Sequence, residues 1–572
     1  MTHTATTRPG GAFTFPEGFT PKLVTVLREG YGAGEFRRDL IAGLTVAVVA
    51  LPLSMAIAIA SGVSPDRGIF TAIVGGFFVS LLSGSRYQIG GPAGAFIVLV
   101  LATVQAHGFD GLVLATFISG MLLALAGALR LGTFVKYIPY PVTLGFTAGI
   151  GIIILASQLR PFLGLDLGGT EPGALLEKLP VLYKALPTLN MTSLLIGALS
   201  VAIIYGLKNI APRAPGMLVA VAVAALATWA LDLQTETIGS VFGGLAQGLP
   251  APRLPDLSLG KIEAVLPAAL AFTLLGSIES LLSAVVADSM TGRRHRSNME
   301  LIAQGVANMA SAIMGGICVT GTIARTATNV RAGAHGPVSG MIHAGALLLF
   351  IMLLAPLASY IPLAALAGVL VFISLHMIDF GTLRSLYRTT RAEANVMIVT
   401  MLMTIFRDLT EAIITGIALG SLLFMRRLAR ASRVEALSMG GYETEEEHPH
   451  MGNGGDTLVL DITGAYFFGS APVIETVLER ISLPPRRVIL DLSHVPFFDM
   501  SGARSLAAFA ARAIEQGSQV IIAGASEEEK RFLKSAGISD QVIFAESLAE
   551  ARALPLPGEN DRDNGEGRDQ AM

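Results

Sequence analysis

The residues best suited to do chemistry in this chain sit in two glycine-rich interruptions of otherwise apolar sequence. Ile89 to Leu99 reads IGGPAGAFIVL, and Gly315 to Asn329 reads GGICVTGTIARTATN. Breaking a helix inside an apolar span frees backbone N–H and C=O groups, which is tolerated only where they line a cavity and hold a ligand. A helix starts after each break, and the unpaired N–H groups and positive dipole end of a helix start attract an anion. Two such starts, one in each half of the chain, predict one anion held between them. Two charges stand near the second break. Glu279 lies mid-way along the apolar run LPAALAFTLLGSIESLLSAVVAD, with Ser283 four residues on and so on the same helix face. That spacing predicts a carboxylate and a hydroxyl facing Thr320-Gly321-Thr322. Oxygen ligands of this kind suit Na+, and a buried carboxylate that takes up and releases a proton suits H+; the residues leave the choice open. Arg325, just past the break, either faces the anion or balances Glu279, and Glu279 alternatively pairs with Arg325 for good or caps freed N–H groups.

The elements that must position these groups are membrane spans. Of 572 residues, 52% are hydrophobic, only 15% are charged and 63 are Gly, with a mean hydropathy of +0.62. That composition excludes an ordinary soluble domain. Charge is segregated before Leu40, in short loops and after Arg426, so the net charge of −3 says little about partners, and no nucleic-acid partner is expected. The single cysteine, Cys318, excludes a disulfide framework and a Cys-based zinc site and reads as a small apolar filler. His107, His335 and His343 have no metal-ligand spacing. No cofactor is therefore expected, and no metal beyond a coupling Na+. Met1 to Pro21 lacks an apolar signal-peptide core, which leaves the first span as the insertion signal.

On the rule of roughly 20 apolar residues per span, about fourteen segments fit between residues 40 and 425, the third, tenth and thirteenth being short. An even number puts both termini on one side. Arg37, Arg38, Arg293, Arg294, Arg296, Arg384, Arg388, Arg391, Arg426, Arg427, Arg430 and Arg433 place that side in the cytoplasm of a bacterial inner membrane. Asp408 and Glu411, beside Arg407, read as a solvated external turn. Gly90 and Gly315 keep nearly the same separation as the span starts Leu40 and Ala264, which predicts an internal duplication. Seven spans is an odd number, so the second copy enters upside down and the breaks meet near the midplane.

After the acidic stretch Glu443 to His450 the pattern changes. TLVLDITG, RVILDLSHV, QVIIAGA and QVIFA read as strands, with helices around 470–482, 503–516 and 527–536, a small α/β module. Ser501, in DLSHVPFFDMSG, lies at a strand-to-helix turn and is either a candidate phosphorylation or docking point or the N-cap of the helix. The expected domains are a cytoplasmic segment 1–38, a transmembrane transport domain 39–433, a linker 434–455, the module 456–554 and a disordered tail 555–572.

LPLSMAIAIASGV at Leu51 to Val63, GSRYQIGGPAGAF at Gly84 to Phe96, LGFTAGIGI at Leu144 to Ile152, LLGSIESLLSAVVADSMTG at Leu274 to Gly292 and GTIARTATNVRAGAHGPVSG at Gly321 to Gly340 strongly resemble the SulP family of anion transporters. The last module resembles a STAS domain, and DMSG at Asp499 to Gly502 matches the motif whose serine is phosphorylated in anti-sigma-factor antagonists. The resemblance implies an all-α, UraA-like fold of fourteen spans in a seven-plus-seven inverted repeat, with core and gate domains, usually dimeric, moving by an elevator motion. It places the anion against Ala93, Gly94, Ala95 and Phe96 on the third span and Thr322, Ile323, Ala324 and Arg325 on the tenth. Glu279 becomes the coupling carboxylate, with Ser283, Thr320, Gly321 and Thr322 around the coupling ion. Leu53 stands where animal members often carry Gln, and Ala93 where they often carry Phe, so chloride and sulfate preferences do not transfer. Among bacterial members the GGPAGAF stretch resembles Na+-coupled bicarbonate transporters, whereas IESLLSAVV, VRAGA and LLFMRRLAR resemble four-carbon dicarboxylate transporters. A pocket lined by Ala93, Ala95 and Ala324 admits either anion, with sulfate the conventional third choice.

The expected function is therefore secondary active transport of a small inorganic or carboxylate anion with Na+ or H+, not catalysis. No GxxxxGK[ST] motif is present to couple ATP. The alternatives are a nucleobase carrier of the same fold, an uncoupled anion channel, and a membrane-tethered signalling protein that works through a cytoplasmic partner of its STAS-like module.

Overall fold

The computed structural model describes residues 17–133, 139–169, 171–172, 175–211, 214–407, 409–431, 433–438, 457–467 and 485–556. The chain divides into two compact units, residues 1–417 and 418–572.

The first unit is helical. After α1 (Lys22–Glu29) come α2 (Ala33–Ala60), α3 (Pro65–Leu82), the two-residue strand β1 (Gly90–Gly91) and α4 (Gly94–Ala128). Then follow α5 (Tyr140–Ser157), α6 (Met191–Ile210), α7 (Gly216–Ala230), α8 (Leu259–Thr291), α9 (Ser297–Ile313), the strand β2 (Thr320–Gly321) and α10 (Ile323–Arg331). α11 (Val338–Ala358), α12 (Leu363–Met377), α13 (Arg391–Phe406) and α14 (Leu409–Ala431) complete the run. Among the described residues, nine helices are long and apolar enough to cross a membrane. The fold is thus a polytopic helical membrane fold. The expected third and fourth spans form one run in which Gly108, at φ +69° and ψ −177°, leaves helical geometry. α10, where the short tenth span was expected, is only nine residues long.

Where hydrophobic driving force between spans is weak, small residues let backbones approach. α9 lies along α4 with Gly120, Gly127 and Gly305 in the contact; a methyl group on Gly120 would meet the Gly305 carbonyl oxygen at 2.7 Å. α2 and α11 touch in the same way, since a Cβ on Gly43 would stand 2.4 Å from the Ser339 oxygen. Much of the high glycine content is used in such crossings.

The two breaks are joined directly. β1 and β2 pair antiparallel, Gly90 with Gly321 and Gly91 with Thr320. The segment leading into β2 is fixed by polar side chains of neighbouring helices. The Asn308 amide donates to the Val319 carbonyl at 2.7 Å and accepts from the Val319 N–H at 3.0 Å. Ser311 donates to the Ile317 oxygen at 2.8 Å, and Thr71 accepts from the Ile317 N–H at 2.7 Å. These residues satisfy the backbone groups that the break frees, as an apolar interior requires.

The second unit contains a five-stranded sheet in the order β3 (Arg433–Ser438), β4 (Thr457–Thr463), β5 (Arg487–His494), β6 (Gln519–Ala523), β7 (Ile543–Ala545), antiparallel between β3 and β4 and parallel beyond. Helices Met500–Glu515, Glu527–Ser535 and Leu548–Ala553 accompany it. Residues 434–438 of β3 fall in the expected linker; an antiparallel edge strand covers β4 there instead of leaving its backbone groups to water. The helix expected around 470–482 and the tail from 557 lie outside the described residues, as do most of the expected linker and Asp408. Leu458, Leu460 and Ile462 alternate into the main apolar core of this unit with Phe509 and Leu533.

Candidate functional site

α4 opens with a tight turn at Gly94–Phe96, and α10 opens at Ile323 after the N-cap residue Thr322; neither start has a side-chain cap. The first N–H groups of a helix have no acceptor within it. At α10 the Thr322 N–H is taken by the Ile89 oxygen at 3.2 Å, across the paired breaks. The Thr322 hydroxyl is buried with no partner. Ile323 and Ala324 are exposed at the helix start. Ala93 and Ala95 are buried, and a Cβ on Gly94 would meet Ile154 of α5 at 3.3 Å. Phe96 is buried with its ring 5.9 Å from that of Phe272, an edge contact within the main core, so its side chain serves packing rather than the helix mouth.

Arg325 is 1% exposed. Its Nη2 donates to the Ser54 Oγ of α2 at 3.0 Å, and Ser54 in turn donates to the Ala50 carbonyl at 2.7 Å. Nε and Nη1 have no protein partner. Gly91 makes room for the guanidinium: a Cβ there would lie 1.8 Å from Nη1. The expected alternative in which Arg325 and Glu279 form a lasting pair is not what the chain does, because no ion pair joins them among the described residues. Glu279, half-buried in α8, accepts no hydrogen bond from the freed N–H groups either. It is a carboxylate in an apolar helix with no ion-pair partner among the described residues.

Ser283 is turned differently from its expected direction. Its hydroxyl donates to the Thr326 Oγ1 of α10 at 3.1 Å, so it ties α8 to the first turn of α10 rather than to Thr320-Gly321. Thr326 can serve both sides because its oxygen also accepts from the Ile89 N–H at 3.3 Å. Thr320 donates to the Gly276 oxygen at 3.4 Å. Thr320 is thus tied to α8 at Gly276, one turn before Glu279, and Ser283 lies one turn after it.

Several residues at the site carried no separate signal in the sequence. Gln88 donates to the Ser280 oxygen at 3.0 Å and lies over Gly321, where a Cβ would stand 1.6 Å from its Nε2. His343 of α11 is fully buried with neither ring nitrogen partnered. Asp39 is buried at the start of α2, accepting from the His335 and Gly336 N–H groups at 2.6 and 3.0 Å and from the Tyr31 hydroxyl at 2.9 Å. Its contribution is to hold the loop after α10. An apolar cleft of about 590 Å³, lined by residues such as Met55, Val221, Trp229 and Phe350, includes none of these polar groups.

In the second unit the N-cap of the helix Met500–Glu515 is Asp499, which accepts from the Gly502 N–H at 2.8 Å. Ser501 is not the cap and is exposed in the first turn. Gly502 lets that turn sit on Tyr466; a Cβ would meet the ring at 2.8 Å.

Residues 36–400 match the family model described as Sulfate permease family, and residues 448–551 match the STAS domain. YvdB, a Bacillus subtilis protein named for sulfate transport, is 36% identical over 90% of this chain and 96% of its own length. The bicarbonate transporter BicA of Synechocystis is 32% identical over 87% of this chain and 89% of its own. The solved transmembrane domain of a cyanobacterial BicA superposes with a TM-score of 0.61 at 31% identity, covering 68% of this chain and 98% of that one. The structure of SLC26A9 superposes at 0.80 over 97% of this chain and 94% of its own, and at 17% identity it shares the fold.

Proposed function

The chain belongs to the sulfate permease family of membrane anion transporters, with a C-terminal STAS domain, and from that premise we propose that it carries a small anion by symport with Na+ or H+. Two opposite charges in the apolar unit, Glu279 and Arg325, have no ion-pair partner among the described residues; that observation carries the reading. An uncompensated charge taken out of water is costly, and its cost is removed by a ligand of opposite sign. A cation at Glu279 and an anion before the α10 start neutralise the site together, so movement of the loaded site is favoured over movement of a half-loaded one. A protein-internal Glu–Arg pair would have removed both requirements.

The anion lies between the starts of α4 and α10, against Ala93, Gly94 and Ala95 on one side and Thr322, Ile323, Ala324 and Arg325 on the other. The coupling ion lies by Glu279, Thr320, Gly321 and Thr322, with Ser283 holding α10 in place. The small side chains support a compact anion, bicarbonate, for which BicA is named, or a four-carbon dicarboxylate such as succinate or fumarate, with sulfate, for which YvdB is named, the further choice. Fourteen spans in an inverted repeat, a dimer, elevator movement and both termini in the cytoplasm of an inner membrane complete the proposal. Ser501, exposed at a helix start, is the phosphorylation point of the module.

Uptake of labelled bicarbonate, succinate, fumarate and sulfate into liposomes, with Na+ and H+ gradients imposed separately, tests the reading. Gradient-driven uptake that collapses in Glu279→Gln is expected. Folded protein that moves none of these anions overturns it and favours a nucleobase or signalling role; voltage-driven anion current indifferent to both cations makes the protein a channel.

A further inference from the structure

A ten-residue helix, Phe380–Thr389, joins α12 to α13, and none of its residues is buried. It is well formed: Asp379 caps it, accepting from the Thr382 N–H at 3.0 Å and from the Thr382 hydroxyl at 2.6 Å. Its sequence FGTLRSLYRT is polar and basic where the preceding α12 is apolar, which suits it to one membrane surface. Its faces differ in chemistry. Leu383 and Leu386 are half-buried against the protein, whereas Phe380 and Tyr387 are 64% and 63% exposed. Arg384 and Arg388, one turn apart, stand beside that aromatic pair, and Arg391 follows at the start of α13. None of the three arginines has a carboxylate partner among the described residues. Gly381, Arg384, Ser385, Arg388 and Thr389 line a cleft of about 510 Å³.

Exposed aromatics beside unpaired arginines on an amphipathic helix are the composition that settles at a lipid headgroup layer. We propose that the helix Phe380–Thr389 binds the headgroup of an anionic phospholipid, its phosphate held by Arg384 and Arg388 with Ser385 in the cleft and Arg391 at the rim, its acyl chains running along Phe380 and Tyr387. Arginine suits this role because its planar fork meets phosphate oxygens two at a time. The charge is predominantly positive: Arg384, Arg388 and Arg391 stand against Asp379, which is engaged in capping the helix, and Glu393 in the first turn of α13.

The test uses the full-length chain in vesicles of equal phosphatidylglycerol and phosphatidylethanolamine, extracted and examined by native mass spectrometry. Phosphatidylglycerol is expected to be enriched among retained lipids. The variant Arg384→Gln/Arg388→Gln/Arg391→Gln is expected to lose that enrichment by roughly tenfold or more, while Arg37→Gln/Arg38→Gln keeps it. A label on Thr389→Cys gives a second readout that leaves the arginines intact, since the native Cys318 is buried; brominated phosphatidylglycerol should quench it and brominated phosphatidylcholine should not. No enrichment in the wild type, retention by the triple variant, equal loss in the Arg37/Arg38 control, or displacement by excess inorganic phosphate each overturns the proposal. The last result would make the cleft a free-phosphate site. Absence of quenching would make the helix a docking face for protein.

Discussion

The two breaks are paired residue for residue through β1 and β2, yet one is built from space and the other from polar groups. In the first, Gly90, Gly91, Ala93, Gly94 and Ala95 present backbone and little else. In the second, Thr320, Thr322, Arg325 and Thr326 bring hydroxyls and a charge. The halves depend on each other: Arg325 occupies the room that Gly91 leaves, and Gln88, beside the first break, lies over Gly321 of the second. Two paired breaks thus carry two unlike sets of side chains, so that one supplies shape and the other supplies charge. What can be changed without loss should differ accordingly between the halves.

The largest effect is expected at the points where the halves interlock. Gly91→Ala pushes the Arg325 guanidinium off Ser54, and Gly321→Ala displaces Gln88; each should lower gradient-driven uptake by roughly a hundredfold, the usual result of an ångström of misplacement at a binding site. Gly94→Ala faces only the flexible end of Ile154 and should cost much less. Equal losses at Gly91 and Gly94 would show that the first break is read as a whole and not through Arg325. Ser54→Ala comes next: removing a hydrogen bond to a charged group, worth about 1.5–3 kcal/mol, should raise KM for the anion by roughly tenfold or more, with maximal rate little changed. A fall in maximal rate alone would place Ser54 in movement and not in anion binding.

In the STAS domain, Asp499→Ala removes a helix cap and should cost about 1 kcal/mol of that domain's stability, measured by hydrogen exchange of Met500–Glu515, with uptake unchanged. A loss of uptake would reveal that the domain acts on the carrier. The smallest effect concerns pH. Glu29 is hydrogen-bonded to Arg86, and this holds its carboxyl below the ordinary value. A depressed folded value means the contribution is complete above the unfolded pKa of 4.5 and is lost as pH falls through the folded one. Exchange protection of α1 should therefore weaken only below about pH 4.5, and Arg86→Gln should remove that pH dependence, because the hydrogen bond from the buried Arg86 is the main cause of the depressed value.

What could be read from the sequence was local. Apolar run lengths announced the helices, alternation announced β4 to β6, and glycine-rich stretches announced both breaks, because each of these is set by residues close in the chain. The presence of Glu279 and Arg325 inside apolar sequence was also enough to mark them as ligand-facing candidates. Their partners were not legible. Ser54 meets Arg325, Thr326 takes the Ser283 hydroxyl, and Asp39 holds the loop at His335, each across a long stretch of sequence. Asp499 rather than Ser501 caps its helix, a choice between neighbours that only the dihedral angles at the helix start decide. The sequence by itself determined where helices form, where they break and which charges enter the membrane unit, since propensity, hydrophobicity and the cost of a buried charge act on each segment alone. The tertiary structure decided that the two charges remain apart, because that depends on which distant residues come within hydrogen-bonding distance of each.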